Sequence, residues 1–314
     1  MQTITLSNDR HQIHITKLVV GHAECKDRGF LHSYLDAYLD AGGNCIDTAR
    51  IYDYGLGERI VGDYMKTKQR DNVVLVTKCA HYDPYFYPIR HRVSEPDIRF
   101  DVETSLRELG TDYIDVLFLH RDDIKRPVAA IMPVLHQLVQ DGKVRIIGTS
   151  NWTAGRIQEA NTFATEHGLT PFSVSQIHHS LALTTAAQSG DLSHVIMDDI
   201  EYAWYQDKTF PVMAWASTGK GFFSKQANGV PLQGMVKEHY GWLEENFRRV
   251  DRVQELARNH NVSVGAVVLS YLMSDKNVPT VAIAAFSKRR QFDEALEATT
   301  LHLTKAERKF LAGV

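Results

Sequence analysis

Eight short apolar runs alternate with helix-like segments along almost the whole chain, and this alternation constrains the fold more than any other feature. A short apolar run bounded by turn residues is typical of a strand buried on both faces. Strands that alternate with helices predict βαβ units and a parallel sheet. Eight units predict an α/β fold of the (β/α)8 TIM-barrel type, as a single domain over residues 1–314. The predicted strands cover residues 18–21, 44–47, 73–78, 114–120, 144–149, 173–177, 211–215 and 278–283.

The segments between these runs carry the sequence signals of helices. Gly42, Gly110, Gly142 and Gly168 follow four of them, and glycine commonly ends a helix. Two longer connections, residues 80–96 and 217–245, follow strands and are therefore expected to be long loops on the active face. The predicted helices cover residues 30–41, 58–66, 97–109, 128–141, 154–167, 264–273 and 289–298.

Polar side chains stand at the ends of three predicted strands. Asp47, Lys78 and His120 close their runs, and Tyr52 follows shortly after the first. A parallel barrel places its catalytic residues at these carboxyl-terminal strand ends. A phenol has an ordinary pKa of about 10, and a neighbouring ammonium stabilises its ionised form. Lys78 can supply that ammonium, Asp47 can hold it in place, and His120 can orient a substrate oxygen. The pattern predicts that Tyr52 is an acid or base facing a carbonyl or an alcohol.

Six segments resemble, in this order, the aldo-keto reductase superfamily. They read GGNCIDTARIYDYGLGERIVG, LVTKC, DVLFLHR, GKVRIIGTSNW, VSQIHHSL and VAIAAFSKRRQFDEALEA, within residues 20–296 or so of the chain. The resemblance implies an enzyme that reduces an aldehyde or ketone to the alcohol. It assigns the catalytic roles to Asp47, Tyr52, Lys78 and His120, with Tyr52 as the proton donor.

Carbonyl reduction requires a hydride carrier, because these four side chains have no electrons to give. No Gly-x-Gly-x-x-Gly segment follows an early strand, so a doubly wound dinucleotide domain is unsupported. In the resembled family, NADPH lies extended across the mouth of the barrel. The resemblance implies that its nicotinamide and pyrophosphate contact Ser150, Asn151, Gln176, Trp215, Ala216, Ser217, Gly219 and Lys220.

The last of the six segments matches the adenosine-phosphate site of the same family. The positive end of a helix dipole, together with several cations, favours a 2′-phosphate. NADPH is therefore expected as the cofactor, ahead of NADH. The matching residues are Ser287, Gln291 and Glu294, with the cations Lys288, Arg289 and Arg290 at the start of the following helix.

The substrate pocket is expected to be polar. Its candidate lining residues are His22, Tyr82, Tyr85, Tyr87 and Arg121. Such a pocket favours a hydroxylated, sugar-like carbonyl compound over a flat hydrophobic ketone. For Arg121 the sequence leaves a second interpretation open, which is an ion pair with the adjacent aspartate in solvent.

Two other classes of protein remain open at the level of sequence. One is a regulatory subunit that binds the nicotinamide cofactor with little turnover. The other is a non-redox barrel enzyme in which Lys78 forms a Schiff base. The segments that contain Ser150, Asn151 and Gln176 argue against the second class.

Composition excludes several kinds of partner. A net charge of −3 provides no general attraction to nucleic acid or membranes, so a small carbonyl compound is the expected partner. We expect a cytoplasmic protein, since the first residues lack an apolar core and no apolar stretch approaches the roughly 20 residues of a membrane span. Three cysteines without a ligand spacing, and histidines without a His-Glu-x-x-His motif, predict no metal site. The sequence does not define the oligomeric state.

Overall fold

The computed structural model describes residues 1–21, 28–82 and 90–314, and its centre is a closed barrel of eight parallel strands. Each barrel strand pairs with the next one along the chain, and the last pairs with the first. This architecture confirms the predicted (β/α)8 fold. After a hairpin of β1 (Thr3–Ser7) and β2 (Gln12–Thr16), the barrel strands are β3 (Leu18–Gly21), β4 (Cys45–Asp47), β5 (Val74–Cys79), β6 (Ile114–Leu119), β7 (Val144–Ser150), β8 (Val174–Gln176), β9 (Val212–Ala214) and β10 (Thr280–Ala284).

Helices follow or separate the barrel strands throughout the described chain. Short 3-10 turns lie at Tyr52–Gly55, Arg70–Asn72, Val128–Ala130 and Gly219–Gly221. None of the helices among the described residues combines the length and the apolar character needed to cross a membrane. The α-helices are α1 (Arg28–Asp40), α2 (Leu56–Met65), α3 (Glu95–Leu109), α4 (Met132–Gln140), α5 (Ala154–Glu166), α6 (Asp199–Lys208), α7 (Phe222–Ala227), α8 (Gly234–Tyr240), α9 (Glu244–His260), α10 (Val264–Met273), α11 (Arg289–Ala298) and α12 (Lys305–Ala312).

Two predictions about the connections were wrong. The predicted helix at residues 128–141 is divided into a 3-10 turn and α4, because Pro133 near the start of α4 lacks an amide hydrogen and prevents a continuous helix. The predicted loop at residues 217–245 contains α7 and α8 and ends in the first turn of α9.

The β1–β2 hairpin, which the sequence analysis did not predict, contributes to the barrel core. Alternate residues of its strands are buried, among them Leu6 and Ile15. These side chains belong to the same apolar cluster as the barrel residues Val19, Val76 and Met213. The hairpin therefore stabilises the interior of the barrel by removing apolar surface from water.

The pleat of the strands determines which side chains enter the barrel. In β5, Val74 and Val76 belong to the interior cluster, and the period of two residues directs Lys78 inward as well. In β4, the inward Cys45 places Asp47 on the same side. The same alternation brings His120, Ser150 and Gln176 to the mouth of the barrel, at the carboxyl-terminal ends of the strands.

Below the mouth the interior is tightly filled. A Cβ atom on Gly148 would lie 2.5 Å from the carbonyl oxygen of Val174 and 2.6 Å from Cε1 of Phe118. Only glycine fits at this layer without displacing backbone atoms. The packed layer forms a rigid base beneath the polar side chains at the mouth.

Candidate active site

A cavity of about 1480 Å³ opens at the mouth of the barrel, where the strands reach their carboxyl-terminal ends. Lys78, which is 1% exposed, is the one predicted catalytic residue that does not itself line this cavity. Within the described chain, the cavity lining does not include Tyr82, Gly219 or Arg289. It does include the predicted residues Asp47, Tyr52, His120, Arg121, Ser150, Asn151, Gln176, Trp215, Ala216, Ser217, Lys220, Ser287, Lys288, Arg290, Gln291 and Glu294.

The ammonium of Lys78 connects two other members of the predicted tetrad, Asp47 and Tyr52. Its ammonium donates to Asp47 Oδ2 at 2.7 Å and to the carbonyl oxygen of Thr48 at 2.8 Å. A third hydrogen bond, of 3.1 Å, reaches the hydroxyl of Tyr52. Each proton of the ammonium therefore has one partner, which fixes the direction of the side chain.

The charge of Lys78 is retained in spite of its burial. Burial alone lowers the pKa of a lysine, but the carboxylate of Asp47 and the oxygen of Tyr52 outweigh it and raise the pKa of Lys78 above its ordinary value. Asp47 is in turn held by Gln176, whose Nε2 donates to Asp47 Oδ1 at 2.8 Å. The ammonium is thus a fixed positive charge next to the phenol.

Tyr52 reaches the mouth on a turn of unusual backbone conformation. The residues after it, Asp53, Tyr54 and Gly55, have φ values of 47°, 57° and 86°. Left-handed conformations cost roughly 1–2 kcal/mol for residues other than glycine. Two such residues in succession show that the surrounding structure holds the turn against this cost, as is common near functional sites.

His120 stands beside the phenol as a neutral imidazole. The two rings meet edge to face, with centroids 5.8 Å apart. Burial lowers the pKa of His120 well below its ordinary value, and the nearby His81, Arg121 and Lys78 lower it further. At neutral pH His120 is consequently a hydrogen-bond donor and acceptor and carries no charge.

Residues that the sequence analysis missed form one side of the mouth. His81 and His194 line the cavity beside His120. Arg121 is buried and donates to Asp191 Oδ2 and to His194 Nε2, both at 3.1 Å. The structure thus contradicts the interpretation of Arg121 as a solvated ion pair.

Tyr82 supports this side of the mouth from outside the cavity. Its hydroxyl donates to Asp191 Oδ2 at 3.0 Å, and its ring lies 5.7 Å from the guanidinium carbon of Arg121. Three other predicted pocket residues, His22, Tyr85 and Tyr87, lie outside the described residues.

The segment after β9, which contributes several lining residues to the cavity, has an unusual backbone conformation. Ala216, Gly219, Lys220 and Gly221 all have left-handed φ values, between 51° and 76°. Turns of this kind direct successive amide hydrogens into a concave surface that binds anions. The hydroxyl of Ser217 donates to the carbonyl oxygen of Ile283 at 2.6 Å, which ties this segment to β10.

A second polar region surrounds the start of α11. Gln291 Oε1 accepts hydrogen bonds from the amides of Ser287 and Lys288, at 2.8 and 3.0 Å. Arg290 lines the cavity and pairs with Glu294, whereas the guanidinium of Arg289 is bonded to Asp293 and lies outside the lining of the described cavity. The predicted cluster of three cations therefore contributes two of them to the cavity.

Among the residues that the structure describes, no group of three or more histidine, cysteine or carboxylate side chains is placed to hold a metal ion. The cysteines in the described part of the chain, Cys45 and Cys79, are free and buried in strands of the barrel.

A parallel barrel with titratable side chains at the carboxyl-terminal ends of its strands is the architecture of a barrel enzyme. The sequence profile of the Aldo/keto reductase family matches residues 21–312. The chain belongs to the aldo-keto reductase family, whose members are oxidoreductases that use nicotinamide cofactors.

Individual relatives agree with this assignment. A norsolorinic acid reductase of Aspergillus flavus is 31% identical over 90% of this chain and 71% of its own length. A putative aryl-alcohol dehydrogenase of Saccharomyces cerevisiae is 30% identical over 96% of this chain and 84% of its own length. The crystal structure of a thermostable aldo-keto reductase in complex with the inhibitor epalrestat superposes with a TM-score of 0.75. The superposition covers 100% of this chain and 99% of the other chain. At 19% sequence identity, it supports a common fold.

Proposed function

We propose that the protein reduces an aldehyde or ketone to the alcohol, with NADPH as hydride donor and Tyr52 as proton donor. The observation that carries this proposal is the position of the Lys78 ammonium, which lies 2.7 Å from Asp47 and 3.1 Å from the Tyr52 hydroxyl at the cavity floor. A fixed charge beside a phenol favours loss of the phenolic proton, because it stabilises the phenolate that remains.

The proposed chemistry assigns one task to each side chain. Bound NADPH supplies the hydride, which reduces the carbonyl carbon and leaves negative charge on the oxygen. Tyr52 donates its proton to that oxygen, and the Lys78 ammonium stabilises the phenolate while Asp47 and Thr48 hold the ammonium in place. Neutral His120 orients the oxygen by a hydrogen bond.

The cavity walls fit a nicotinamide dinucleotide. The amide nitrogen of Gln176 donates to Asp47, and the amide nitrogen of Asn151 donates to the Ser150 hydroxyl oxygen at 3.0 Å. The hydroxyl hydrogen of Ser150 and the amide oxygen of Gln176 are left to meet a carboxamide. Trp215 offers an aromatic surface to the nicotinamide ring, and its Nε1 has no partner among the described residues. The left-handed turn at Gly219–Gly221 suits a pyrophosphate.

Cofactor preference gives a first quantitative prediction. Replacing Lys288 and Arg290 together by alanine is expected to raise the KM for NADPH about tenfold or more, because charge-assisted bonds to a 2′-phosphate are lost. The KM for NADH, which lacks that phosphate, is expected to change little. Steady-state kinetics with both cofactors measure the effect.

Arg289 provides the matched control for this experiment. It has the same charge and lies between the other two cations, but its guanidinium pairs with Asp293 away from the cavity lining of the described residues. Arg289→Ala is expected to have a much smaller effect on the KM for NADPH. Equal effects on the two cofactors in the double variant would refute the assignment of the 2′-phosphate site.

A panel of carbonyl compounds tests the proposed function as a whole. Aromatic aldehydes belong in this panel because one of the relatives is named as an aryl-alcohol dehydrogenase, and short aldehydes, sugars and quinones complete it. Consumption of NADPH with formation of the matching alcohol is the expected result. Binding of NADPH without turnover on any member would instead favour a regulatory subunit.

A Schiff-base mechanism is not supported by the surroundings of Lys78. A lysine nucleophile must be neutral, which requires a lowered pKa. Here the neighbouring Asp47 and Tyr52 raise the pKa of Lys78, and all three protons of its ammonium have partners. Borohydride is accordingly expected to trap no substrate on this residue.

A further inference from the structure

We infer that the enzyme selects carbonyl substrates with a hydroxyl group on the carbon next to the carbonyl, and that His81 Nε2 accepts the hydrogen bond from this hydroxyl. The inference rests on the proposed function, since it names the class of substrate that the same site would reduce.

The tautomer of His81 is fixed by its backbone contact. Nδ1 lies 2.7 Å from the carbonyl oxygen of Tyr82, and a carbonyl oxygen can only accept a hydrogen bond, so Nδ1 carries the proton. Burial lowers the pKa of His81 to about 4, and the charge of Arg121 acts in the same direction. The ring is therefore neutral at physiological pH, and its Nε2 is an acceptor only.

This acceptor has no partner within the described chain. His81 lines the cavity, and its polar contact is the one between Nδ1 and Tyr82. The other histidine on this side, His194, is different because both of its nitrogens are engaged, Nδ1 with Ser189 at 2.8 Å and Nε2 with Arg121 at 3.1 Å. A substrate that presents a hydrogen-bond donor would complete the bonding of His81.

Position then defines where the donor must be on the substrate. The rings of His81 and His120 meet edge to face with centroids 4.7 Å apart. If His120 and Tyr52 hold the carbonyl oxygen, a ring this close can reach a hydroxyl on the adjacent carbon, but not one several carbons away. The substrate class is therefore a 2-hydroxy aldehyde or a 2-hydroxy ketone.

Charge argues for a hydroxyl group rather than a carboxylate at this place. The cations that act on His81 are both paired with carboxylates, Arg121 with Asp191 at 3.1 Å and Arg92 with Asp101 at 2.7 Å. His81 and His194 both have pKa values lowered to about 4, chiefly by burial. A neutral surface with an unused acceptor is poorly suited to an anion and well suited to an alcohol.

The backbone holds His81 in this position. The preceding residue, Ala80, has a left-handed φ of 60° at the end of β5, and its amide donates to Asp101 Oδ2 at 2.9 Å. Asp101 is buried and is paired with Arg92 at 2.7 Å. A rigidly placed acceptor loses little conformational entropy when it binds, which favours selectivity.

The test compares lactaldehyde with propanal, which differ by the hydroxyl group alone. The ratio of their kcat/KM values with NADPH is measured in the wild type, in His81→Phe and in His81→Gln. Phenylalanine retains an aromatic ring but removes the acceptor, so the ratio is expected to fall on the order of tenfold. Glutamine can place its carbonyl oxygen near the former Nε2, so it is expected to recover part of the preference.

The outcomes separate this inference from the proposed function. If both aldehydes are reduced and His81→Phe leaves the ratio unchanged, the role of His81 is wrong while carbonyl reduction stands. Preference for glyoxylate over lactaldehyde would also overturn it, since an anion would then be the favoured ligand. If no carbonyl compound is reduced at all, the proposed function fails and the inference fails with it.

Discussion

Tyr52→Phe is expected to lower kcat at least about 100-fold, within the 10²–10⁴-fold range typical of general acid catalysis. The phenol connects the Lys78 ammonium to the cavity, because its oxygen lies 3.1 Å from Lys78 Nζ while the residue lines the cavity. Phenylalanine keeps the ring against His120 and removes only the oxygen. The dissociation constant for NADPH, measured by fluorescence titration, is expected to stay within about twofold, since a transition-state interaction alone is lost.

Tyr54→Phe is the matched control for this experiment. Tyr54 lies two residues further along the same turn, and it is 77% exposed. The same chemical change there is expected to leave kcat close to that of the wild type. Substantial turnover in Tyr52→Phe, or an equal loss in both variants, would contradict the role of Tyr52 as proton donor.

Lys78→Met is expected to abolish most of the turnover and to lower the free energy of unfolding by about 3–5 kcal/mol. Methionine has a similar length but no charge, so the Asp47 carboxylate, which is 3% exposed, would remain in the barrel without its ion-pair partner. Removing one partner of a buried ion pair typically costs this much, because an uncompensated charge is left behind. Urea unfolding followed by circular dichroism measures the change.

The double variant Lys78→Met with Asp47→Asn separates stability from catalysis. Asparagine has nearly the same shape as aspartate, lacks the charge, and can still accept the hydrogen bond from Gln176. We therefore expect it to recover most of the lost stability and none of the activity. If Lys78→Met alone were as stable as the wild type, the ion pair of Lys78 and Asp47 would not be buried as described.

Sequence reasoning predicted the parts of the fold that follow from the pattern of apolar residues and from the position of polar residues at the strand ends. The eight barrel strands were predicted because buried parallel strands are continuous apolar runs, and β3 agrees with its predicted residues at both ends. Asp47, Lys78 and His120 could be grouped because strand ends converge at one face of a parallel barrel. The pleat then directs these side chains inward, which the structure confirms for Asp47 and Lys78 by their 2.7 Å contact.

The features that were missed depend on tertiary contacts. His81 and His194 lie in connections after strands, where no period links a residue to its spatial neighbours. The contacts of His81 with His120 and of His194 with Arg121 bring together segments that are far apart in sequence. Arg289 differs from Arg290 in the carboxylate that it meets on α11, Asp293 instead of Glu294, and helix geometry decides this difference.

The central claim is that the phenol next to Lys78 protonates a carbonyl oxygen held at the floor of the cavity. A crystal structure of the complex with NADP⁺ and an unreactive amide analogue of the substrate tests it most directly. We predict that the analogue's carbonyl oxygen lies about 3 Å or less from the Tyr52 hydroxyl, with the nicotinamide ring against Trp215. A nicotinamide bound away from Tyr52, or a carbonyl oxygen out of hydrogen-bond range of it, would contradict the account.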